Sequence, residues 1–214
     1  MTSLERFDKV LDRPLIPAAR ICLLLLVILL VVGIATPLWR IQMEAPQYPQ
    51  GLYMDIYSHA LTGGNDGHDI TEINTLNQYI GMHRIDRQTL VDLDFMPFLL
   101  GGLGLLVLRV AALGNVRALI DLTVLSIYAA TFALGRFVYR LYVFGHELDP
   151  TAPVKVKGFT PVIIGTKQIA NFTTHSYPRV GALLIGLFVL GLAGLVIWHL
   201  LTQGVKHMRR LPDE

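Results

Sequence analysis

Histidine and methionine are the side chains of this sequence whose types point most directly to chemistry. Imidazole and thioether groups together suit copper, above all Cu(I), whereas a thioether is a poor ligand for magnesium or calcium. Met82 and His83 are adjacent in a polar segment, and no HxH, HxxxH or MxxM spacing accompanies them. These residue types predict a metal site with copper as its cofactor; the alternative is that the histidines are ordinary surface residues. The candidate metal ligands are His59, His68, Met82, His83, His146 and His175.

A second candidate site lies at the end of an apolar stretch. Arg136 and Arg140 are one helical turn apart, with Tyr139 beside them. Guanidinium groups donate hydrogen bonds to charged or polar oxygens, so the three residues predict a quinol site. The alternative is that the arginines extend to the phosphate of a lipid headgroup, or pair with Glu147 or Asp149.

Several classes of function are excluded or disfavoured. The single cysteine, Cys22, excludes an internal disulfide, an iron–sulfur cluster held by this chain and a c-type haem attachment. His199 is the one histidine inside an apolar stretch, so a bis-histidine haem held by this chain alone is improbable. No GxSxG, HExxH or GxxxxGK[ST] motif occurs, and no Lys/Arg run suggests nucleic acid. The sequence therefore predicts a protein that is not an enzyme.

The candidate residues lie in or between long apolar stretches of the sequence, which must position them. The chain has 214 residues, of which 53% are hydrophobic and 16% charged, against about 25% charged in an average soluble domain. Apolar stretches of about 20 residues suffice to cross a bilayer. They divide the chain into a lead (1–20), a first span (21–39), a polar loop (40–94), a second span (95–113), a third span (117–144), a second loop (145–178), a fourth span (180–201) and a tail (202–214).

The distribution of charge predicts the orientation of these spans. Basic residues are frequent in the lead, at the turn near residue 114 and in the tail, whereas the first loop is acidic. By the positive-inside rule both termini are cytoplasmic and both loops face the periplasm of a bacterial inner membrane. The second loop is basic and disagrees with this assignment. A cleaved signal peptide ending near residue 35 is the alternative for the first span.

The first loop has local signals of a small fold. Residues 52–57 alternate as a short strand does, and the run 63–67 (GGNDG) is a turn signal. Asp69 or Thr71 can cap a following helix that Gly81 ends. The predicted fold class is therefore an all-α membrane protein with four transmembrane helices and two periplasmic loops, the first of them a small α+β cap.

Two patterns in the loops carry a resemblance to a known family. The first loop contains APQYPxGL at residues 45–52 and INxLNxYIGM at residues 73–82. The second contains FTP at residues 159–161, GTKQIANF at residues 165–172 and YP at residues 177–178. The pattern resembles the NosB-like small bacterial inner-membrane proteins, which are associated with gene neighbourhoods of nitrous oxide reductase and related copper enzymes. In that family a lysine often stands where this chain has His83.

The resemblance implies an accessory role in maturing, or passing electrons to, a periplasmic copper enzyme. We therefore expect a non-enzymatic inner-membrane accessory protein or subunit whose outer loops dock a protein partner and handle copper. The alternative is a structural or quinol-interacting subunit of a larger membrane oxidoreductase complex. A transporter is disfavoured because no paired charges lie inside the spans. The residues expected at the docking surface are Pro46, Tyr48, Pro49, Asn74, Asn77 and Tyr79.

Overall fold

The computed structural model of the chain describes residue 8, residues 11–169 and residues 171–208. In chain order the elements are α1 (Pro17–Ala35), β1 (Trp39–Ala45), β2 (Tyr48–Ile56), β3 (Leu61–Gly63), a 3-10 turn (Asn65–Gly67), α2 (His68–Tyr79), α3 (Asp92–Leu113), α4 (Val116–His146), β4 (Gly165–Ile169), β5 (Phe172–Pro178) and α5 (Val180–Met208). Among the described residues, four helices (α1, α3, α4 and α5) are long and apolar enough to cross a membrane. The length and the apolar composition of these four helices are those of a multi-pass membrane protein.

The loops form a β-sheet, and the all-α fold class predicted from the sequence is wrong. In the part of the chain that the structure describes, five strands make one antiparallel sheet in the order β3-β2-β1-β5-β4. The fold is mixed α/β. The two loops are separate in sequence, yet β5 of the second loop pairs with residues 39–44 of β1. Pairing between residues more than a hundred positions apart leaves no signal in the local sequence. The sheet was therefore not predicted from the sequence.

The first helix ends earlier than the predicted span of residues 21–39, because the residue before a proline is disfavoured in helical geometry. Helix α1 covers Pro17–Ala35, and Thr36-Pro37 follows it. Trp39 opens β1 and donates its indole N–H to the Ser176 hydroxyl at 2.8 Å. The segment that follows this apolar helix thus becomes the central strand of the sheet.

Contacts divide the chain into two compact units. The membrane unit comprises the described residues up to Val31, Leu99–Ala130, and the described residues from Leu184 onward. Its helices bury stripes at the spacing of one helical face, such as Leu23, Leu26 and Leu30 on α1, while Leu24 and Leu25 of the same helix are exposed, as lipid-facing residues are. A Cβ added at Gly191 would lie 2.5 Å from a terminal methyl carbon of Leu26, so a larger residue would displace that side chain where α1 and α5 approach closely.

The cap unit comprises Val32–Phe98 and Thr131–Leu183. One face of its sheet, the inner face, packs with α2 and the end of α4 around a core that includes Ile41, Met54, Ile73 and Phe144. Successive strand residues point to opposite faces, so the other face carries the polar residues of β1, β2 and β5. We call it the outer sheet face; its members are Arg40, Gln42, Glu44, Tyr53, Asp55, Thr166, Gln168, Thr173, His175 and Tyr177.

Candidate functional site

The structure does not bring the predicted metal-binding histidines together. In the part of the chain that the structure describes, no group of three or more histidine, cysteine or acidic side chains lies close enough to hold a metal ion. Four of the five histidines have partners of their own. His83 lies 3.6 Å from Glu147, and His175 lies 3.6 Å from Glu44 and 2.8 Å from the Thr166 hydroxyl. The ring of His146 stacks on a tyrosine one helical turn earlier.

The other two histidines among the predicted ligands lie at separate places in the cap. His59 follows β2, and its Nδ1 lies 3.3 Å from the Ser58 hydroxyl. His68 is the first residue of α2 and is exposed. A histidine-based metal site therefore stays a prediction without geometric support.

The structure instead brings methionines to one place. A partly open cavity of about 90 Å³ lies inside the cap unit, bounded by the inner face of the sheet, α2, the second loop and the end of α4. Met43 from β1, Met54 from β2 and Met82 from the segment after α2 all line it. Met43 and Met54 are 5% and 4% exposed. The other lining residues are almost all apolar.

A helix-ending motif positions Met82 at this cavity. Gly81 has φ +80°, and the Gly81 and Met82 N–H groups donate to the carbonyls of Gln78 and Asn77 at 3.1 and 2.9 Å. These two bonds are those of a Schellman motif, which turns the chain back along the helix it ends. A Cβ on residue 81 would lie 2.8 Å from the Asp149 carbonyl oxygen, so the close approach of the second loop also requires glycine.

The two arginines of the predicted headgroup site share one carboxylate. Arg136 Nε donates to Asp92 Oδ1 at 2.7 Å, and Arg140 Nε donates to Asp92 Oδ2 at 2.9 Å. The side chains of Asp92, Arg136 and Arg140 are 15%, 30% and 23% exposed. We call these three residues the triad. Charged hydrogen bonds of this length between partly desolvated groups hold all three side chains in one geometry.

Neighbouring groups fix the triad further. Asp92 is the first residue of α3, where the helix dipole favours a negative charge. The Arg136 guanidinium lies 5.8 Å from the centre of the Tyr139 ring. Arg140 also lines the methionine cavity. The predicted headgroup residues thus do lie together, organised by an aspartate that the sequence reading did not include.

The pairing of the arginines with Glu147 or Asp149 was wrong. Glu147 faces His83, and Asp149 accepts hydrogen bonds from the Thr151 hydroxyl and backbone N–H at 2.6 and 2.7 Å. Those bonds hold the pKa of Asp149 below its usual value. A sequence signal for the true partner exists: Asp92 and Arg136 each lie 22 positions from Gly114, the turn between two antiparallel spans. Equal separation from the turn places both at the same end of a helix pair.

The outer sheet face is a connected layer of polar and aromatic side chains. Arg40 forms a two-bond ion pair with Asp55, in which Nε lies 2.7 Å from Oδ1, and its guanidinium stacks 4.2 Å from the centre of the Tyr53 ring. The hydrogen bond to Asp55 raises the pKa of Arg40, and the negative charge of Asp55 adds to this effect. Burial of the guanidinium group acts in the opposite direction. Across the neighbouring strand pair, the Tyr177 hydroxyl lies 3.5 Å from Gln42.

The residues expected at the docking surface have mixed positions. Pro46 and Pro49 are exposed at and after the β1–β2 turn, and Tyr79 is 54% exposed on α2. Tyr48 donates to Glu72, which raises the pKa of the phenol. The remaining two residues, Asn74 and Asn77, serve the fold.

Asn74 closes the segment after α2 onto that helix. Its side-chain amide donates to the Ile85 carbonyl at 3.0 Å and accepts from the Ile85 N–H at 2.7 Å. Asn77 is 2% exposed and lines the methionine cavity. Much of the INxLNxYIGM pattern is therefore explained by the folding of the cap.

Comparisons of the chain with protein-family models, curated proteins and solved structures give no match.

Proposed function

We propose that the chain is a non-enzymatic, membrane-anchored accessory protein or complex subunit whose outer sheet face docks a protein partner outside the bilayer. The observation that carries the proposal is that face itself. Among the described residues, this side of the antiparallel sheet has no covering layer, and it carries Arg40, Tyr53 and Tyr177, which are of the residue types enriched at interface hot spots. Their mutual contacts order them before a partner arrives, which lowers the entropic cost of binding.

In this proposal the cap is periplasmic and both termini are cytoplasmic, in a bacterial inner membrane. The support is the excess of Lys and Arg in the lead, near the turn at residue 114 and in the tail. The partner is a respiratory enzyme of the copper class, as the resemblance to the NosB-like proteins implies.

A site-specific photocrosslink tests the docking surface. A photoreactive phenylalanine analogue replaces Tyr53 in the full-length protein in native membranes, and the same analogue at Tyr79 is the control. Tyr53 is 37% exposed on the outer sheet face, whereas Tyr79 lies on α2, which packs at the inner face. We expect a discrete adduct with a second protein from position 53 and none from position 79. An adduct from position 79 alone would move the interface to the residues expected from the sequence, and no adduct from either would overturn the proposal.

Copper handling is the finer part of the proposal, and the methionines support it better than the histidines do. Three thioethers that line one apolar cavity select Cu(I) over harder cations. The positive charge of Arg140 on the cavity wall repels any cation, and it repels a divalent ion about twice as strongly as Cu(I). We expect Cu(I), titrated against a competing chelator, to bind the protein and to be lost when Met43, Met54 and Met82 are all replaced by leucine. Met96→Leu, outside the cavity, is the control; equal binding by both variants would remove copper from the proposal.

The quinol alternative has less support. The cavity beside Arg140 has a volume of about 90 Å³, whereas an apolar cavity known to take up benzene measures about 150 Å³. A quinone ring therefore needs displacement of the lining side chains. Quinol-dependent turnover of the native complex with Arg136→Gln or Arg140→Gln would separate the two readings, because the docking proposal predicts no change in apparent KM for quinol.

A further inference from the structure

The triad of Asp92, Arg136 and Arg140 carries an unbalanced charge. Two guanidinium groups share one carboxylate, which leaves a net charge of one positive unit. Within the residues that the structure describes, Asp92 is the only carboxylate in ion-pair contact with either arginine. The positive end of the α3 dipole adds to this charge, because Asp92 is the first residue of that helix.

The arginines of the triad also have N–H donors that Asp92 does not engage. Each arginine uses its Nε for Asp92, and among the described residues no hydrogen bond engages the Nη groups of either side chain. Both side chains remain partly exposed, at 30% and 23%. Paired guanidinium groups with free N–H donors match the oxygens of a phosphate group.

The location selects the source of the phosphate. Asp92 begins one membrane-spanning helix, and Arg136 and Arg140 lie in the last turns of another. Nearby, Tyr139 and Tyr142 are 54% and 50% exposed on α4, as aromatic residues are at the level of lipid headgroups. Phospholipid is the phosphate that is always present at this depth.

We propose that the triad is a binding site for the headgroup of an anionic phospholipid. The phosphate accepts hydrogen bonds from the free Nη groups of Arg136 and Arg140, while Asp92 holds the two guanidinium groups side by side. The lipid's negative charge neutralises the net positive charge of the triad. This role is independent of partner docking through the outer sheet face, and either can fail without the other.

The test uses the full-length protein in nanodiscs of phosphatidylcholine that contain a minority of phosphatidylglycerol. Lipids retained after release from the discs are counted by native mass spectrometry. One basic residue near an anionic membrane surface contributes about a fivefold preference for anionic lipid, so we expect about fivefold enrichment of phosphatidylglycerol in the first retained lipid. Arg136→Gln with Arg140→Gln is expected to abolish it, and Arg117→Gln, at the other end of α4, is expected to leave it unchanged.

A second variant separates a lipid site from an ion cluster that only stabilises the fold. Asp92→Asn retains the shape of the side chain and raises the net charge of the triad to two positive units. A lipid site predicts stronger enrichment of phosphatidylglycerol, by about a further fivefold, even where the variant is less stable in detergent. Unchanged or weaker enrichment in Asp92→Asn, or retained enrichment in the double arginine variant, would overturn the proposal.

A third arm distinguishes lipid from free phosphate. Inorganic phosphate is added to the delipidated protein in detergent at constant ionic strength, and the thermal unfolding midpoint is compared with that after addition of phosphatidylglycerol. We expect a rise of the midpoint with the lipid and none with phosphate. Equal stabilisation by phosphate would show a soluble anion site and would refute the lipid assignment.

Discussion

The two ends of helix α4 carry the same kinds of charged residue in opposite proportion. Near its start, Arg117 donates to Asp8 at 3.1 Å and to Asp12 at 3.2 Å, so one cation lies between two anions. Near its end, two arginines lie on either side of Asp92. Arg117 and its partners are 47–65% exposed, whereas the triad side chains are 15–30% exposed. Because it is exposed, the group around Arg117 is a weak surface contact, whereas the partly buried triad is a stronger one. The net positive charge of the triad still attracts an anion.

The largest effect is expected from Asp92→Ala. Removal of the shared carboxylate leaves two partly buried cations uncompensated and removes a favourable charge from the first turn of α3, so we expect a loss of about 2–3 kcal/mol in the free energy of unfolding. The measurement is denaturant unfolding in detergent. Asp94→Ala is the matched control, because Asp94 lies in the same turn and forms an exposed pair with Arg87. Equal losses in the two variants would show that burial does not distinguish the triad.

Arg140→Ala is expected to cost about 1–2 kcal/mol, more than Arg136→Ala. Both changes remove one bond to Asp92, but Arg140 is the less exposed of the two and its side chain lines the methionine cavity. The difference is lost packing of the alkyl stem. The same unfolding measurement checks it, and Arg140→Met, which retains most of the stem, should recover part of the loss. If Arg140→Met recovers no stability, the whole loss in Arg140→Ala comes from the removed charge.

Arg117→Ala is expected to cost about 0.5 kcal/mol, in the range of exposed ion pairs. Its two acidic partners are 65% and 62% exposed and remain hydrated without it. Thermal unfolding of the variant beside the wild-type protein gives the value. A loss as large as that of Asp92→Ala would contradict the comparison of the two helix ends.

The smallest expected effect is a difference in salt dependence of a few tenths of a kcal/mol. Salt screens charges that face water more than charges that are partly buried. We therefore expect the cost of Arg117→Ala to decrease when sodium chloride is raised from about 0.1 to 1 M, and the cost of Asp92→Ala to change less. Parallel decreases would indicate that water reaches both groups equally.

The membrane-spanning helices could be read from the sequence because hydropathy is a local property. The four apolar stretches correspond to the helices that the structure contains among its described residues. Helix α2 was also predicted, and Gly81 follows its end with a positive φ. Its start differs: Gly67 is the N-cap residue, where Asp69 or Thr71 was expected, and Asp69 is 2% exposed and accepts from the Tyr53 N–H at 3.0 Å.

The sheet could not be read in the same way. Residues 39–45 were assigned to the end of a span and the start of a loop, and no strand was expected in the second loop. Both segments alternate buried side chains with more exposed ones, as in the pattern of Phe172–Pro178, where buried and half-buried residues alternate. Alternation over seven residues identifies a strand but not its partner, and β1 finds its partners in β2 and β5 only in the folded chain.

The sequence by itself determined that this chain has four apolar helices, a turn near Gly114, and polar loops that contain the histidines and methionines. Those properties depend on near neighbours along the chain. Only the tertiary structure decided which of those residues meet. It separated the histidines, gathered three methionines around one cavity and gave Arg136 and Arg140 a common partner in Asp92. The physical reason is that desolvation acts on groups that the fold brings together. Two arginines on an exposed helix are hydrated separately, whereas partial burial makes Arg136 and Arg140 share the carboxylate of Asp92.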